Sequence, residues 1–121
     1  MVRRSGANLL NVTIRTVHRD EVTALPYAKR DMFGFVLYFN VKFNERETEI
    51  LRQTTRDLVD VAENSGGTYY LPYQLFYSPE QLRRAYPEID QFFAMKRKYD
   101  PGELFSNRFY EKYSRAPVLP G

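Results

Sequence analysis

The chain has no cysteine and no tryptophan, and a single histidine among its 121 residues. Without thiols there is neither a disulfide framework nor a thiolate metal site, and a cytoplasmic setting is the expectation. The lone histidine, His18, alternates with strand-forming residues, so it is expected to be structural or exposed rather than catalytic. No Ser-His-Asp set, no His/Asp/Glu group at metal-ligand spacing and no GxGxxG or GxxxxGK loop is present, so no metal is expected. Long apolar runs are missing too. Nothing approaches the roughly 20 residues that span a bilayer, and Met1-Val2-Arg3-Arg4-Ser5-Gly6 is not followed by the hydrophobic region of a signal peptide. Charge of one sign is also scarce: 18 basic against 15 acidic side chains leave a net +3, a weak pull on nucleic acid.

Aromatic residues are abundant. Ten Tyr and nine Phe within 43% hydrophobic content suit one compact domain over residues 1–121, with an aromatic core in which some tyrosines must satisfy a buried hydroxyl.

Leu9 to His18 alternates with strand periodicity, with Leu10, Val12, Ile14, Thr16 and His18 on its apolar face. A long connection follows, in which Pro26 argues against regular structure and whose length suggests a role. Phe33 to Phe43 is the strongest strand; Phe33, Phe35, Leu37, Phe39, Val41 and Phe43 share one parity, and that odd face is expected to be core. Asn44, three residues before Glu47, predicts a reciprocal capping box. The helix it opens carries Ile50, Leu51, Thr54, Leu58, Val61 and Ala62 on its inner stripe and ends at Asn64-Ser65-Gly66-Gly67. This glycine pair follows a helix rather than a strand, so it fits a helix stop and not a phosphate loop.

Thr68 to Phe76 predicts a third strand interrupted by Pro72, with Tyr69, Leu71 and Tyr73 on one face and Tyr70, Pro72 and Gln74 on the other. Sheet packing accounts for at least half of these aromatics; the remainder suit a tyrosine-lined wall with Gln74 as a polar orienting group. Ser78-Pro79-Glu80-Gln81 starts a short helix that Tyr86-Pro87 breaks. Ile89, Phe92, Phe93, Lys96 and Tyr99 mark the stripe of the next helix, which Asp100-Pro101 stops, with Gly102 expected to reverse the backbone. Leu104 to Tyr113 predicts a last short helix, and residues 114–121 a flexible tail. The order β-β-α-β followed by helices implies an α+β fold, a small antiparallel sheet with helices packed on one face. Such a sheet has too few neighbours to cover its edges, so the chain is expected to be part of a larger domain or to pair with a second copy as a homodimer.

The Lys96-Arg97-Lys98-Tyr99-Asp100-Pro101 segment leading to Phe105-Ser106-Asn107, with Gly66 to Leu71 and Tyr86-Pro87 before it, resembles the carboxy-terminal signature of flavin-dependent oxidases of the vanillyl-alcohol oxidase type. The likeness is to the end of the substrate (cap) domain of alditol, aldonolactone and decaprenylphosphoryl-ribose oxidases, and covers most of residues 9 to 113. Asn11 to Val17 is similar to the cap strand that carries a Glu-x-Arg pair in the alditol-oxidase branch, with Arg15 at the arginine and Thr13 at the glutamate. Lysines of the two branches fall at Gln74 and Tyr73 here. Neither of those side chains is a cation at neutral pH, though both can hydrogen-bond a hydroxylated substrate.

The resemblance implies part of a ferredoxin-like cap domain that binds a sugar-like or polyol substrate through Arg15, Tyr70, Tyr73 and Gln74. It implies FAD as the cofactor of the whole oxidoreductase, a flavin-binding domain as partner, and Asn107 on the side facing that domain. Nothing in the chain is similar to the glycine-rich FAD pyrophosphate loop, so the chain alone is not expected to be an oxidase. The alternative is a small α+β module for nucleic acid or protein using Arg83, Arg84, Lys96, Arg97 and Lys98. Cations at a helix carboxy end are favoured by its dipole in any case, and no RNP-like motif supports it.

Overall fold

The computed structural model describes residues 5–42 and 44–116. Phe43 at the end of the expected second strand, the first four residues and residues 117–121 of the expected tail lie outside the described residues. The described residues form two strands, β1 (Asn8–Val17) and β2 (Met32–Asn40), and four helices: α1 (Glu45–Asn64), α2 (Pro79–Ala85), α3 (Ile89–Tyr99) and α4 (Arg108–Tyr113). The fold is α+β, with a two-stranded antiparallel sheet.

The strands pair in register, with a bulge at Leu10 between Leu9 and Asn11. Residues directly opposite share a face. One face therefore collects Val12 with Leu37, Ile14 with Phe35, and Thr16 with Phe33; the other collects Thr13 with Val36, Arg15 with Gly34, and Val17 with Met32. The two apolar parities expected from the sequence do come together, but they do not form the core. Leu10, Ile14, Phe33 and Phe35 are each 60% or more exposed. A sheet face is buried only when another layer covers it, and the apolar side chains of the helices are spent on one another.

That second packing is dense. Val59, Tyr77, Leu82, Ala85, Tyr86, Ile89, Phe93, Tyr110 and Tyr113 form one buried cluster. Tyr77 stacks on Tyr113 with ring centres 4.9 Å apart, and Phe93 meets Tyr110 edge-on at 5.7 Å. Such pairs contribute about 0.5–1.5 kcal/mol each beyond their burial. The Tyr113 hydroxyl donates to the Tyr77 carbonyl at 2.8 Å, and the Tyr77 hydroxyl to the Leu71 carbonyl at 3.1 Å. Burial pushes both hydroxyls well above the usual tyrosine range, and Tyr86 up to about 12, which keeps them neutral donors.

The expected third strand is absent: residues 68–76 are turns and irregular chain. The carbonyls a ladder would use at Tyr69 and Leu71 accept from the hydroxyls of Tyr86 and Tyr77, and Pro72 has no N–H to give. Core tyrosines have displaced the strand.

The helix limits follow their caps. Asn44 Oδ1 accepts from Glu47 N at 2.9 Å, but the return half of that box is replaced by Asn44 N donating to the Lys42 carbonyl at 2.8 Å. In α1 the inner stripe is Leu51, Thr54 and Val59, whereas Val61 is 49% exposed. Gly66, with φ of 72°, closes α1: Gly66 N donates to the Glu63 carbonyl and Gly67 N to the Ala62 carbonyl, the pairing of a Schellman stop. The Ser78 box of α2 is complete, and the buried Gln81 also donates to the Arg56 carbonyl at 2.9 Å and to Asp60 at 2.8 Å, fastening α2 to α1.

Asp100 ends α3 as expected, but Gly102 is not the reversing residue. Glu103 has the positive φ, 50°. Asp100 holds the turn by accepting from Lys96 at 2.8 Å and from the backbone N–H of Leu104 and Phe105 at 3.0 Å each. The last helix begins only after Asn107, and Tyr99, expected on the inner stripe of α3, is 75% exposed. Beyond α4, residues 114–116 turn back so that the Ala116 carbonyl accepts from Arg83 at 3.1 Å.

Candidate functional site

The connection between the strands is ordered by its own hydrogen bonds. Asp20 N donates to the Ala28 carbonyl at 2.9 Å, Asp20 accepts from Val22 N and Thr23 N, and Arg19 N donates to Asp31 at 2.8 Å. Ala28 is 1% exposed and anchors the loop. The carbonyl of Tyr27 accepts from the Thr68 hydroxyl, and Arg30 donates to the Ser65 carbonyl at 3.2 Å. These bonds fix Tyr27 between the ribbon and the segment that follows α1.

The Tyr27 hydroxyl lies over Gly34, 3.0 Å from where a Cβ would stand, with Val17 Cγ2 at 3.2 Å from the same point. A Cβ here would make both neighbours give by a few tenths of an ångström, so glycine favours this close approach, and its φ is not the reason. Gly34 is paired with Arg15, so Arg15 projects from the same face beside the Tyr27 hydroxyl. From Tyr27 the row continues edge-on to Tyr70 at 5.7 Å and from Tyr70 to Tyr73 at 5.0 Å. Tyr70 and Tyr73 are 50% and 62% exposed, and Gln74 next to them is exposed.

Of the residues expected at the substrate side, Arg15, Tyr70 and Tyr73 thus fall along one surface, with Gln74 adjoining Tyr73 in the chain. The strand alternation that separated Tyr70 from Tyr73 is replaced by a turn that brings their rings together, while Tyr69 packs inward at 4.6 Å from Tyr77. Tyr27 and Gly34 were not singled out by the sequence. The only signal for Tyr27 was the length of its loop, and pairing register, which gives Gly34 its meaning, is not legible in a single strand.

Asn107 is elsewhere. Its Oδ1 caps α4 by accepting from Tyr110 N at 2.9 Å, and the exposed Leu104 and Phe105 precede it. His18 is exposed beyond β1, with Nδ1 3.7 Å from Asp31. No group of three or more metal-ligating side chains occurs among the described residues. Two open depressions, one along Asn44, Glu45, Thr48, Glu49 and Arg52 and one between Glu103, Ser106, Tyr110, Glu111 and Arg115, contain none of the expected site residues.

The row can stack on and hydrogen-bond a ligand: three tyrosine rings, one guanidinium and one carboxamide. The backbone N–H groups of Gly66 and Gly67 are spent on the carboxy end of α1, and the Asn107 carboxamide oxygen on its cap. Among the described residues, no helix is long and apolar enough to cross a membrane. The chain matches no known protein-family pattern, no curated protein and no solved structure.

Proposed function

We propose that the chain is the substrate-side portion of an FAD-dependent oxidoreductase that acts on an alcohol carbon of a sugar-like or polyol substrate, and that it is not catalytic alone. The observation that carries this reading is the convergence of Arg15, Tyr70 and Tyr73 on one surface through Tyr27, although they come from segments about 55 residues apart in a chain folded with two quite different halves. The bare apolar face of the ribbon supports it as well, since a two-stranded sheet is marginal without a further layer or further strands. In this reading the ribbon belongs to the sheet of a ferredoxin-like cap domain, and the Asn107 turn, with Leu104 and Phe105 exposed, faces the flavin domain. A flavin held by that domain supplies the hydride chemistry; Arg15, Tyr70, Tyr73 and Gln74 bind and orient the substrate.

The nucleic-acid alternative loses most of its cations. Arg83 pairs with Asp90, Arg84 with Asp60 and Glu63, and Lys96 with Asp100, which leaves Arg97 and Lys98.

The test is the flavin content of the polypeptide or complex that carries this chain in the cells that make it. The expected result is a flavin absorption band that a polyol or sugar alcohol bleaches anaerobically, and no flavin retained by the 121-residue chain alone. A carrier without flavin would overturn the proposal.

A further inference from the structure

Arg15 is exposed and forms no ion pair with any described residue. The nearby cation Arg30 is committed to the Ser65 carbonyl, and the acids of the neighbouring loop are committed too: Asp31 to Arg19 N and Asp20 to Val22 N and Thr23 N. Beside Arg15 the Tyr27 hydroxyl closes in on the backbone of Gly34, 3.0 Å from where a Cβ would stand, and no protein group pairs with that hydroxyl. One uncompensated guanidinium and one unpaired hydroxyl donor therefore sit at the same end of a tyrosine row, with no carboxylate paired to either. Guanidinium groups bind carboxylate and phosphate through paired N–H donors, and a neutral ligand would leave that charge unused.

We infer that the ligand of this surface is an anionic polyol, with its carboxylate or phosphate on Arg15 and the Tyr27 hydroxyl and its carbon skeleton along Tyr70 and Tyr73. This deepens the proposed function by naming the charge of the substrate, and it rests on that reading for the polyol skeleton and for the chemistry that follows binding. Tyr27 acts here as a specificity residue. Gly34 acts through it, because a Cβ at that position would push the Tyr27 hydroxyl away.

Binding of D-gluconate, D-glucose 6-phosphate and neutral sorbitol to the 121-residue chain, followed by saturation-transfer NMR, tests the inference without any flavin. At least one anionic probe is expected to bind about tenfold or more tighter than sorbitol, and its identity separates carboxylate from phosphate. Arg15→Gln should remove that preference, Arg15→Lys should restore part of it, and Tyr27→Phe should weaken the anion by about threefold to fivefold. Added salt should weaken the anionic probe and not sorbitol. Equal binding of sorbitol, an unchanged preference in Arg15→Gln, or no binding of any probe at about 10 mM would overturn the inference. A flavin-bearing carrier with no anion preference refutes this inference alone; an anion preference in a carrier without flavin refutes the oxidase reading alone.

Discussion

Phe93 and Phe35 are the same side chain in two settings. Phe93 is 1% exposed, with its ring against Phe92, Phe109 and Tyr110; Phe35 stands opposite Ile14 on the ribbon and is 60% exposed. Both belong to apolar stripes of the period their element requires. The difference is that four helices and the 68–77 segment supply layers to each other, whereas one face of the ribbon has no layer over it among the described residues. A periodic apolar face therefore specifies that something must cover it, without specifying that the covering group lies in the same chain. The helical half meets its own requirement, and the ribbon does not.

Mutations should separate the halves. Phe93→Ala is expected to cost about 3–5 kcal/mol of stability, read as a shift of the urea midpoint, because it empties a site enclosed by aromatic rings. A loss below about 1 kcal/mol would mean that the helical core is loosely packed. Tyr113→Phe should cost about 1–2 kcal/mol in the same measurement, since it leaves the Tyr77 carbonyl without its donor inside the core.

Next comes Asp100→Asn, whose effect should depend on pH. The Lys96 ammonium, with the N–H groups of Phe105 and Leu104, holds the Asp100 carboxyl below the usual carboxylate range. A lowered folded-state value contributes stability above the unfolded value, near 4, and that contribution is lost as pH falls through the folded value. The urea midpoints of wild type and Asp100→Asn should differ at pH 6 and converge in strong acid; a constant gap would show that the charge is not responsible.

The smallest effect is expected on the ribbon. Phe35→Lys should change the midpoint by no more than about 0.5 kcal/mol while reducing binding of a hydrophobic dye. A loss comparable to that of Phe93→Ala would show that this face is covered in solution.

The sequence makes the helical half legible in detail. Ser78 and Gly66 each have a single local job, and caps and stops depend on neighbours within a few residues; the cap at Asn107, three residues past the expected start at Leu104, was not read from the sequence. Both strands are also legible within a residue or two at their start, because alternation is a local property. What was not legible depends on distant partners. Residues 68–76 have strand composition, yet the hydroxyls of Tyr77 and Tyr86 take the carbonyls a ladder would need, and the second of these comes from beyond another helix. Glu103 rather than Gly102 takes the positive φ, and its carboxylate is held by the Tyr110 hydroxyl and by Arg115 at 3.1 Å, partners seven and twelve residues away. At the candidate site Arg15, Tyr70, Tyr73 and Gln74 were legible as residue types, but Tyr27 acquires its place only from the register that sets Gly34 opposite Arg15.

Hydrogen exchange of the 121-residue chain under native conditions tests most directly whether the two halves differ as described. Amides of β1 and β2 are expected to exchange through low-energy local opening, while those at the centres of α1 and α3 exchange only through global unfolding. Equal protection of ribbon and helices in the chain by itself would contradict this difference.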